Sequence, residues 1–204
     1  MSKKGRLLAV SGPSGAGKGT VLSELFKMYP DEFAYSISMT TRAPREGETD
    51  GISYFFTSVA NFKENIALGN FLEYAEYSGN FYGTPKNFVN RMLESGKNVI
   101  LEIEVQGAMQ VKKVCPDALF VFISPESYEE LEKRLRGRGT ESEEVIAKRL
   151  SAAKKEAPYA FLYDCFVVNK GGMAKEAAAD IMAAVKSFSL KPEFHRDVLD
   201  TFFG

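Results

Sequence analysis

Apolar and polar positions change period several times along the chain. Residues 6–11 (RLLAVS) form a short apolar run that stops at Gly12, the pattern of a buried strand. Between Lys18 and Met28 the apolar side chains Val21, Leu22, Leu25 and Phe26 recur at helical spacing, and Pro30 and Asp31 end the helix. Residues 33–38 alternate weakly and predict a second strand. From 39 to 84 the chain becomes polar and rich in Thr, Arg, Gly and Tyr, with aromatic runs at Tyr54-Phe55-Phe56, at 74–77 and at Phe81-Tyr82. That composition predicts an insertion of short strands with one helix near 58–68. Residues 85–95 predict a helix with Pro85 near its first turn. Residues 98–105 (NVILEIEV) predict a strand carrying Glu102 and Glu104, followed by a helix over 106–114. The continuous apolar run 118–123 (ALFVFI) reads as a strand covered on both faces. Ser124 and Pro125 then open a helix to about Leu135. Residues 136–143 (RGRGTESE) read as a loop in which Thr140 or Ser142 caps the next helix, which runs to about 156. A short strand at 165–168 and a closing helix at 175–188 complete the pattern. The tail 191–204 has scattered apolar residues and gives no clear element.

Strands that alternate with helices imply an α/β fold, a parallel sheet flanked by helices, with ligands at the carboxyl ends of the strands. A length of 204 residues suits one such domain with small insertions, and 45% hydrophobic content is enough for a real core. Composition then excludes some functions. Lys plus Arg number 26 and Asp plus Glu 27, a formal net charge of -1, so bulk charge gives no reason to expect a nucleic-acid partner. Phosphates, if bound, must meet local arginine clusters. Cys115 and Cys165 are too few for a disulfide framework, and no CxxC metal spacing occurs. The N-terminal apolar run is too short for a secretion signal, and no stretch approaches membrane-spanning length. A cytoplasmic protein with no membrane partner is the expectation; the sequence leaves oligomeric state open.

The first chemical signal follows the first strand. Gly12, Pro13, Ser14, Gly15, Ala16, Gly17, Lys18, Gly19 and Thr20 spell GPSGAGKGT, with Gly12, Gly17 and Lys18 matching GxxxxGK. Backbone N–H groups must close around phosphate oxygens, so side chains at 15 and 17 would obstruct the cradle. The helix that follows adds its positive end, and Lys18 supplies a point charge to the β- and γ-phosphates. The pattern asks for Ser or Thr directly after the lysine, to bind a metal, but Gly19 stands there. Thr20 is expected on phosphate instead. A GTPase reading is disfavoured: VVNKGG (167–172) contains Asn169-Lys170, but Gly172 occupies the place of the guanine-reading aspartate.

The second signal is Arg42 and Arg45, three apart beside a proline. Two guanidinium groups converging on one point suit a phosphate monoester; the same pair also suits a solvated basic loop. Their run, SISMTTRAPREGETDGISYFF (36–56), contains TTRxPRxGExxGxxYxF. Together with the P-loop, EYAEYSGNFYGTP (73–85), LEIEVQG (101–107) and RLRGRGTESEEVIAKRL (134–150), it resembles the guanylate kinase family over about residues 6–186. The resemblance implies a P-loop NTPase core (about 1–38, 85–135 and 157–190), a GMP-binding insertion (about 39–84), a lid (about 136–156) and a tail (about 191–204). It implies ATP and GMP as substrates, with Mg²⁺ accompanying ATP. It implies that Arg42, Arg45, Tyr54 and Tyr82 hold the GMP phosphate, and that Ser38, Glu73, Thr84 and Glu104 surround the base.

Chemistry agrees for Glu73. Guanine presents adjacent N1–H and 2-amino donors, and an ionised carboxylate, being acceptor-only, takes both. Thr84 can donate to guanine O6 or cap the helix that begins beyond Pro85. On the donor side the resemblance implies that Arg138 and Arg149 reach the triphosphate, that Arg134 stacks on adenine and that Asn169 meets the adenine amino group. Lys18, Arg42, Arg138 and Arg149 are the charges expected to serve catalysis, because phosphoryl transfer rests on positioning and charge stabilisation. Direct metal ligation by a side chain is not expected; Glu102 is a candidate to orient metal-bound water. Two rival readings are a non-catalytic binding module with this fold and an adenylate kinase, the latter suggested by GKGT. An intact Lys18 argues against the first, and Glu73 against the second.

Overall fold

The computed structural model describes residues 4–137, 139 and 141–203. Along the chain the elements are β1 (Leu7–Ser11), α1 (Lys18–Met28), β2 (Phe33–Tyr35), β3 (Met39–Thr40), β4 (Phe55–Phe56), α2 (Val59–Ala67), β5 (Phe71–Tyr77), β6 (Asn80–Pro85), α3 (Lys86–Glu94), β7 (Asn98–Glu102), α4 (Val105–Val114), β8 (Leu119–Ser124), α5 (Tyr128–Gly137), α6 (Glu143–Glu156), a 3₁₀ turn (Ala157–Leu162), β9 (Cys165–Val168), α7 (Ala174–Phe188), a second 3₁₀ turn (Pro192–Phe194) and α8 (Arg196–Phe203). The class is α/β, as the alternation predicts. Two compact units divide the chain, one made of Met1–Gly12 and Asp31–Phe120, the other of Pro13–Pro30 and Val121–Gly204.

In the first unit β2, β7 and β1 lie parallel in that order, with Leu7 beside Val99 and Phe33 beside Asn98. Every residue of β1 is buried. Its unbroken apolar run fits a strand covered on both sides, and α4 packs against it. The polar stretch 39–84 builds a second sheet in the order β4-β3-β6-β5. Its core is aromatic. Phe62 of α2 is fully buried and stacks on Phe71 at 4.5 Å and Phe81 at 5.5 Å between ring centroids. Ser58 caps α2, its hydroxyl accepting from the Asn61 N–H at 3.2 Å.

In the second unit β8 and β9 are parallel, Val121 beside Cys165 and Ser124 beside Val168. Helices α1 and α7 pack together; α1 buries Val21, Leu22 and Leu25, and α7 buries a stripe that includes Ala178, Ile181 and Val185. Lys27 in the last turn of α1 complements the negative helix end. Helices α5 and α6 share a cluster of Leu131, Leu135, Ile146, Leu150 and Ala153.

Several boundaries differ from the sequence reading. Strand β2 stops at Tyr35, short of the expected end at Ser38, and pairs with β7 only over Phe33, Ala34 and Tyr35. Strand β7 ends at Glu102, so Glu104 stands at the N-cap of α4 instead of on the strand. Helix α5 begins at Tyr128, later than the Ser124-Pro125 start, because Ser127 provides the cap: its hydroxyl accepts from the Glu130 N–H at 3.1 Å. The tail forms α8, whose scattered apolar residues Val198, Phe202 and Phe203 are exposed, so no burial signal marked it.

Phe62 anchors the second sheet. Phe62→Ala is expected to cost about 3–5 kcal/mol by removing a fully buried ring from a stacked triplet. A urea titration followed by far-UV circular dichroism measures it; a loss under 1 kcal/mol would deny Phe62 that role.

Candidate active site

The loop between β1 and α1 owes its shape to two glycines with positive φ. Gly17, at the N-cap of α1, has φ +83°, and a Cβ there would sit 2.5 Å from Asn169 Nδ2. Gly15 has φ +95°, and its Cβ would lie 2.9 Å from Leu135 Cδ2. Backbone conformation and space therefore both call for glycine. The first turn of α1 holds no acidic residue, which keeps its exposed N–H groups attractive to an anion. Lys18 Nζ donates to the Pro13 carbonyl at 3.3 Å.

Around this loop, within the second unit, three side chains are fixed. Asn169 is buried and its Nδ2 donates to the Ala16 carbonyl at 2.8 Å. Arg134 donates from Nε to Glu130 at 2.7 Å, from Nη1 to the Ala16 carbonyl at 3.3 Å and from Nη2 to the Asn169 carbonyl at 2.9 Å. Those bonds lie in the guanidinium plane, so they hold the group by its edge and leave its faces for stacking. Arg149 of α6 donates from Nη1 to Ser14 Oγ at 3.1 Å and pairs through Nη2 with Glu141 at 2.5 Å. Gly15, Gly17, Thr20, Arg134, Asn169 and the segment 170–172 line a cavity of about 780 Å³. Arg136 is engaged by Glu132 and Glu143 on the helix faces. Arg138 and Thr140 lie outside the described residues.

Within the first unit a separate cavity of about 300 Å³ is lined by Ser38, Tyr54, Glu73, Tyr82, Glu102 and Glu104, with Gln106 and Gly107. Its chemistry centres on Glu73, which is only 8% exposed. Thr84, also buried, donates its hydroxyl to Glu73 Oε1 at 2.6 Å. Thr84 therefore caps no helix, since the N-cap of α3 is Pro85, and its single proton goes to the carboxylate and not to an open acceptor position. Burial pushes the Glu73 carboxyl above the ordinary carboxylate range, and bonds from the Thr84 hydroxyl and backbone N–H pull it partly back.

Beside this cavity Arg42 lies over the Tyr54 ring, 5.4 Å from its centroid. Its Nη2 donates to both oxygens of Glu48, at 2.7 and 2.9 Å, and its Nη1 to the Ala43 carbonyl at 2.7 Å. The Arg45 N–H also donates to Glu48, at 2.8 Å. These bonds, Arg42's first, hold the Glu48 carboxyl below the usual range. The Arg45 side chain itself is exposed and outside the cavity lining. The sequence assigns no role to Glu48; its place three residues past Arg45 is the only signal it offers. Glu141, the partner of Arg149, is equally hidden inside a polar loop.

No group of three or more His, Cys, Asp and Glu side chains that would hold a metal occurs among the described residues, and Gly19 offers no side-chain donor. Nor, among those residues, is any helix long and apolar enough to cross a membrane.

This arrangement has clear relatives. A family model described as guanylate kinase matches residues 4–187. The chain belongs to the guanylate kinase family. Guanylate kinase of Streptococcus thermophilus strain CNRZ 1066 is 56% identical over 169 residues, 83% of this chain and 81% of that protein. Its counterpart in Streptococcus pneumoniae strain R6 is 54% identical over the same shares. The crystal structure of guanylate kinase from Anaplasma phagocytophilum superposes with a TM-score of 0.66 at 29% identity, covering 93% of this chain and 89% of that one. A shikimate kinase from Acinetobacter baumannii, at 17% identity and a TM-score of 0.50 over 93% of this chain and 97% of that one, shares the fold alone. Membership in the guanylate kinase family accounts for the joint presence of the glycine loop and the Glu73 cavity in one chain.

The raised Glu73 carboxyl has a consequence for stability. Its folded pKa exceeds its unfolded value, so the native state holds the extra proton between the two, and that stabilisation is lost as pH rises through the folded pKa. Glu73→Gln keeps the acceptor for Thr84 but carries no charge. Its melting temperature is expected to gain on the parent as pH rises from about 4, the ordinary carboxylate value. Thermal melts across that range test this; a constant difference would mean that Glu73 titrates normally.

Proposed function

We propose that this chain is an ATP:GMP phosphotransferase, converting ATP and GMP to ADP and GDP. The observation that carries the reading is the buried Glu73 carboxylate at the wall of a small polar cavity. An ionised carboxylate accepts from guanine N1–H and the 2-amino group, while adenine would set its own N1 acceptor against it. Thr84 orients that carboxylate, and Ser38 and Glu104 complete the base surroundings. Tyr54, Tyr82, Arg42 and Arg45 take the GMP phosphate, with Glu48 holding Arg42 in place. Residues 39–84 form the acceptor-binding segment and 136–156 the lid.

The glycine loop takes the ATP phosphates on its backbone N–H groups and Lys18. Arg134 offers a guanidinium face to adenine, and Asn169, whose Nδ2 is bound to the loop, offers Oδ1 to the 6-amino group. An oxygen of the GMP phosphate attacks the γ-phosphorus, the bond from that phosphorus to the bridging β,γ-oxygen breaks, and ADP departs. The attacking oxygen is already anionic, so no general base is required. Arg149, joined in the family by Arg138, stabilises charge on the moving group. Magnesium enters with ATP as the MgATP substrate, and among the described residues no cluster of His, Cys, Asp and Glu side chains forms a metal site of its own.

A coupled assay of ADP release with GMP, AMP, CMP and UMP tests the reading. GMP is expected to be preferred strongly, and no GMP-dependent turnover would defeat the proposal. Glu73→Gln is expected to reduce the GMP-over-AMP preference about tenfold or more, since each charge-assisted bond contributes about 1.5–3 kcal/mol. Arg149→Ala is expected to lower kcat about a hundredfold or more with a smaller change in KM; an unchanged kcat would remove Arg149 from the chemistry.

A further inference from the structure

The Glu73 carboxylate sits on an irregular piece of backbone. In the β5–β6 ladder Phe71 pairs with Pro85 and Tyr74 with Gly83, and the register shifts between them. Two residues, Leu72 and Glu73, thus stand opposite the single residue Thr84. This is the count of a β-bulge, which re-aims side chains and leaves backbone groups unpaired. Strand β5 is also the last strand of its sheet, so only one of its sides is laddered. A bulge on an edge strand has little of its own to hold its shape.

Gln110 meets that edge. Its Oε1 accepts from the Tyr74 N–H at 3.1 Å, and its Nε2 donates to the Tyr74 carbonyl at 3.0 Å. One side-chain amide therefore pairs with both main-chain groups of the residue that follows Glu73, as a neighbouring strand would. Gln110 lies on α4, and Gly107 lies three residues earlier on the same face. A Cβ on Gly107 would stand 3.2 Å from Glu73 Oε2, so the bare helix backbone is the wall behind that oxygen. Thr84 fixes Oε1 from the other side.

We infer that Gln110 is a positioning residue for guanine discrimination. Its amide ties bulged β5 to α4, and the reach of that tie sets how far Glu73 Oε2 stands from the Gly107 backbone. The carboxylate is thereby aimed by three devices: the Thr84 hydroxyl, the glycine wall and the Gln110 clamp. Gln110 itself touches no substrate in this scheme. The inference rests on the reading of Glu73 as the acceptor for guanine.

The discriminating probe is inosine monophosphate, which keeps N1–H but lacks the 2-amino group. A well-aimed carboxylate favours GMP over this analogue; a loosened one does so less. Gln110→Ala is expected to shrink the GMP-to-IMP ratio of kcat/KM by about tenfold, below the hundredfold that a full ångström of misplacement can cost. The loss should appear mainly in KM for GMP. Gln110→Glu, which still accepts from the Tyr74 N–H but cannot donate to its carbonyl, is expected to fall between. Gly107→Ala, which displaces Oε2 by a few tenths of an ångström, is expected to lower the ratio as well. A purely structural Gln110 would lower melting temperature and active fraction, scaling both substrates alike and leaving the ratio unchanged; that result overturns the inference. If instead the parent protein shows no GMP preference, or Glu73→Gln leaves the ratio intact, the reading of Glu73 fails and the clamp falls with it. A ratio altered by Glu73→Gln and untouched by Gln110→Ala sinks the clamp alone.

Discussion

A carboxylate taken out of water governs the smaller cavity, in the first unit of this protein. Glu73 is nearly inaccessible, and desolvation drives its carboxyl toward the neutral form. What opposes the shift is a hydroxyl and a backbone N–H from Thr84. Such a group is stabilised by any donors that reach it, because burial has removed the water that would otherwise solvate its charge. That desolvation is the usual cost of a site built for recognition, where stability yields to function. It also explains why the surroundings are small or polar: Gly107 and Gly83 leave room where any Cβ would crowd the strand, at 3.2 Å from Oε2 and 3.1 Å from the Glu73 carbonyl.

The glycine loop in the second unit follows a different logic, because there the protein gathers backbone N–H groups and fixed cations. Gly17 and Gly15 adopt backbone conformations that other residues adopt with strain, and Asn169 and Leu135 occupy the space their side chains would need. Arg134 and Arg149 are held by Glu130 and Glu141. Arg42 in the first unit is held by Glu48 in the same way. Long cationic side chains lose much rotamer freedom on binding, so a fixed carboxylate partner lowers that cost in advance.

The sequence made some of this visible and concealed the rest for physical reasons. Helix α1 and strand β9 are legible to the residue, because their apolar spacing is regular and their ends are marked by Gly17 and Pro30 in one case and by polar neighbours in the other. The glycine loop is legible because a backbone cradle demands particular residue types in a fixed order. Glu104 misled, since an apolar Val105 prolongs the strand pattern although the chain has already turned into α4. Thr84 misled because a threonine before Pro85 looks like a cap, and only the bulge reveals that it faces Glu73. Gln110 is invisible from sequence, since nothing in a helix pattern announces that one amide will pair with an edge strand 36 residues earlier in the chain.

Those concealed residues share a feature. Glu48 and Glu141 grip Arg42 and Arg149, and Gln110 grips the backbone of Tyr74, the residue that follows Glu73. Sequence motifs are read from the chemistry of the substrate, and such reading stops at groups whose partner is another part of the protein. Their geometry depends on register, bulge and helix phase, which are settled only when the strands pair. An ion pair such as Arg42 with Glu48 is weak evidence for stability when partly exposed. Its value lies in direction: a guanidinium held at two nitrogens has one orientation to offer, and a phosphate meeting it need not choose among rotamers. A neutral amide works by the same means: Gln110 clamps the Tyr74 backbone and so fixes orientation without adding charge beside a carboxylate that burial already strains.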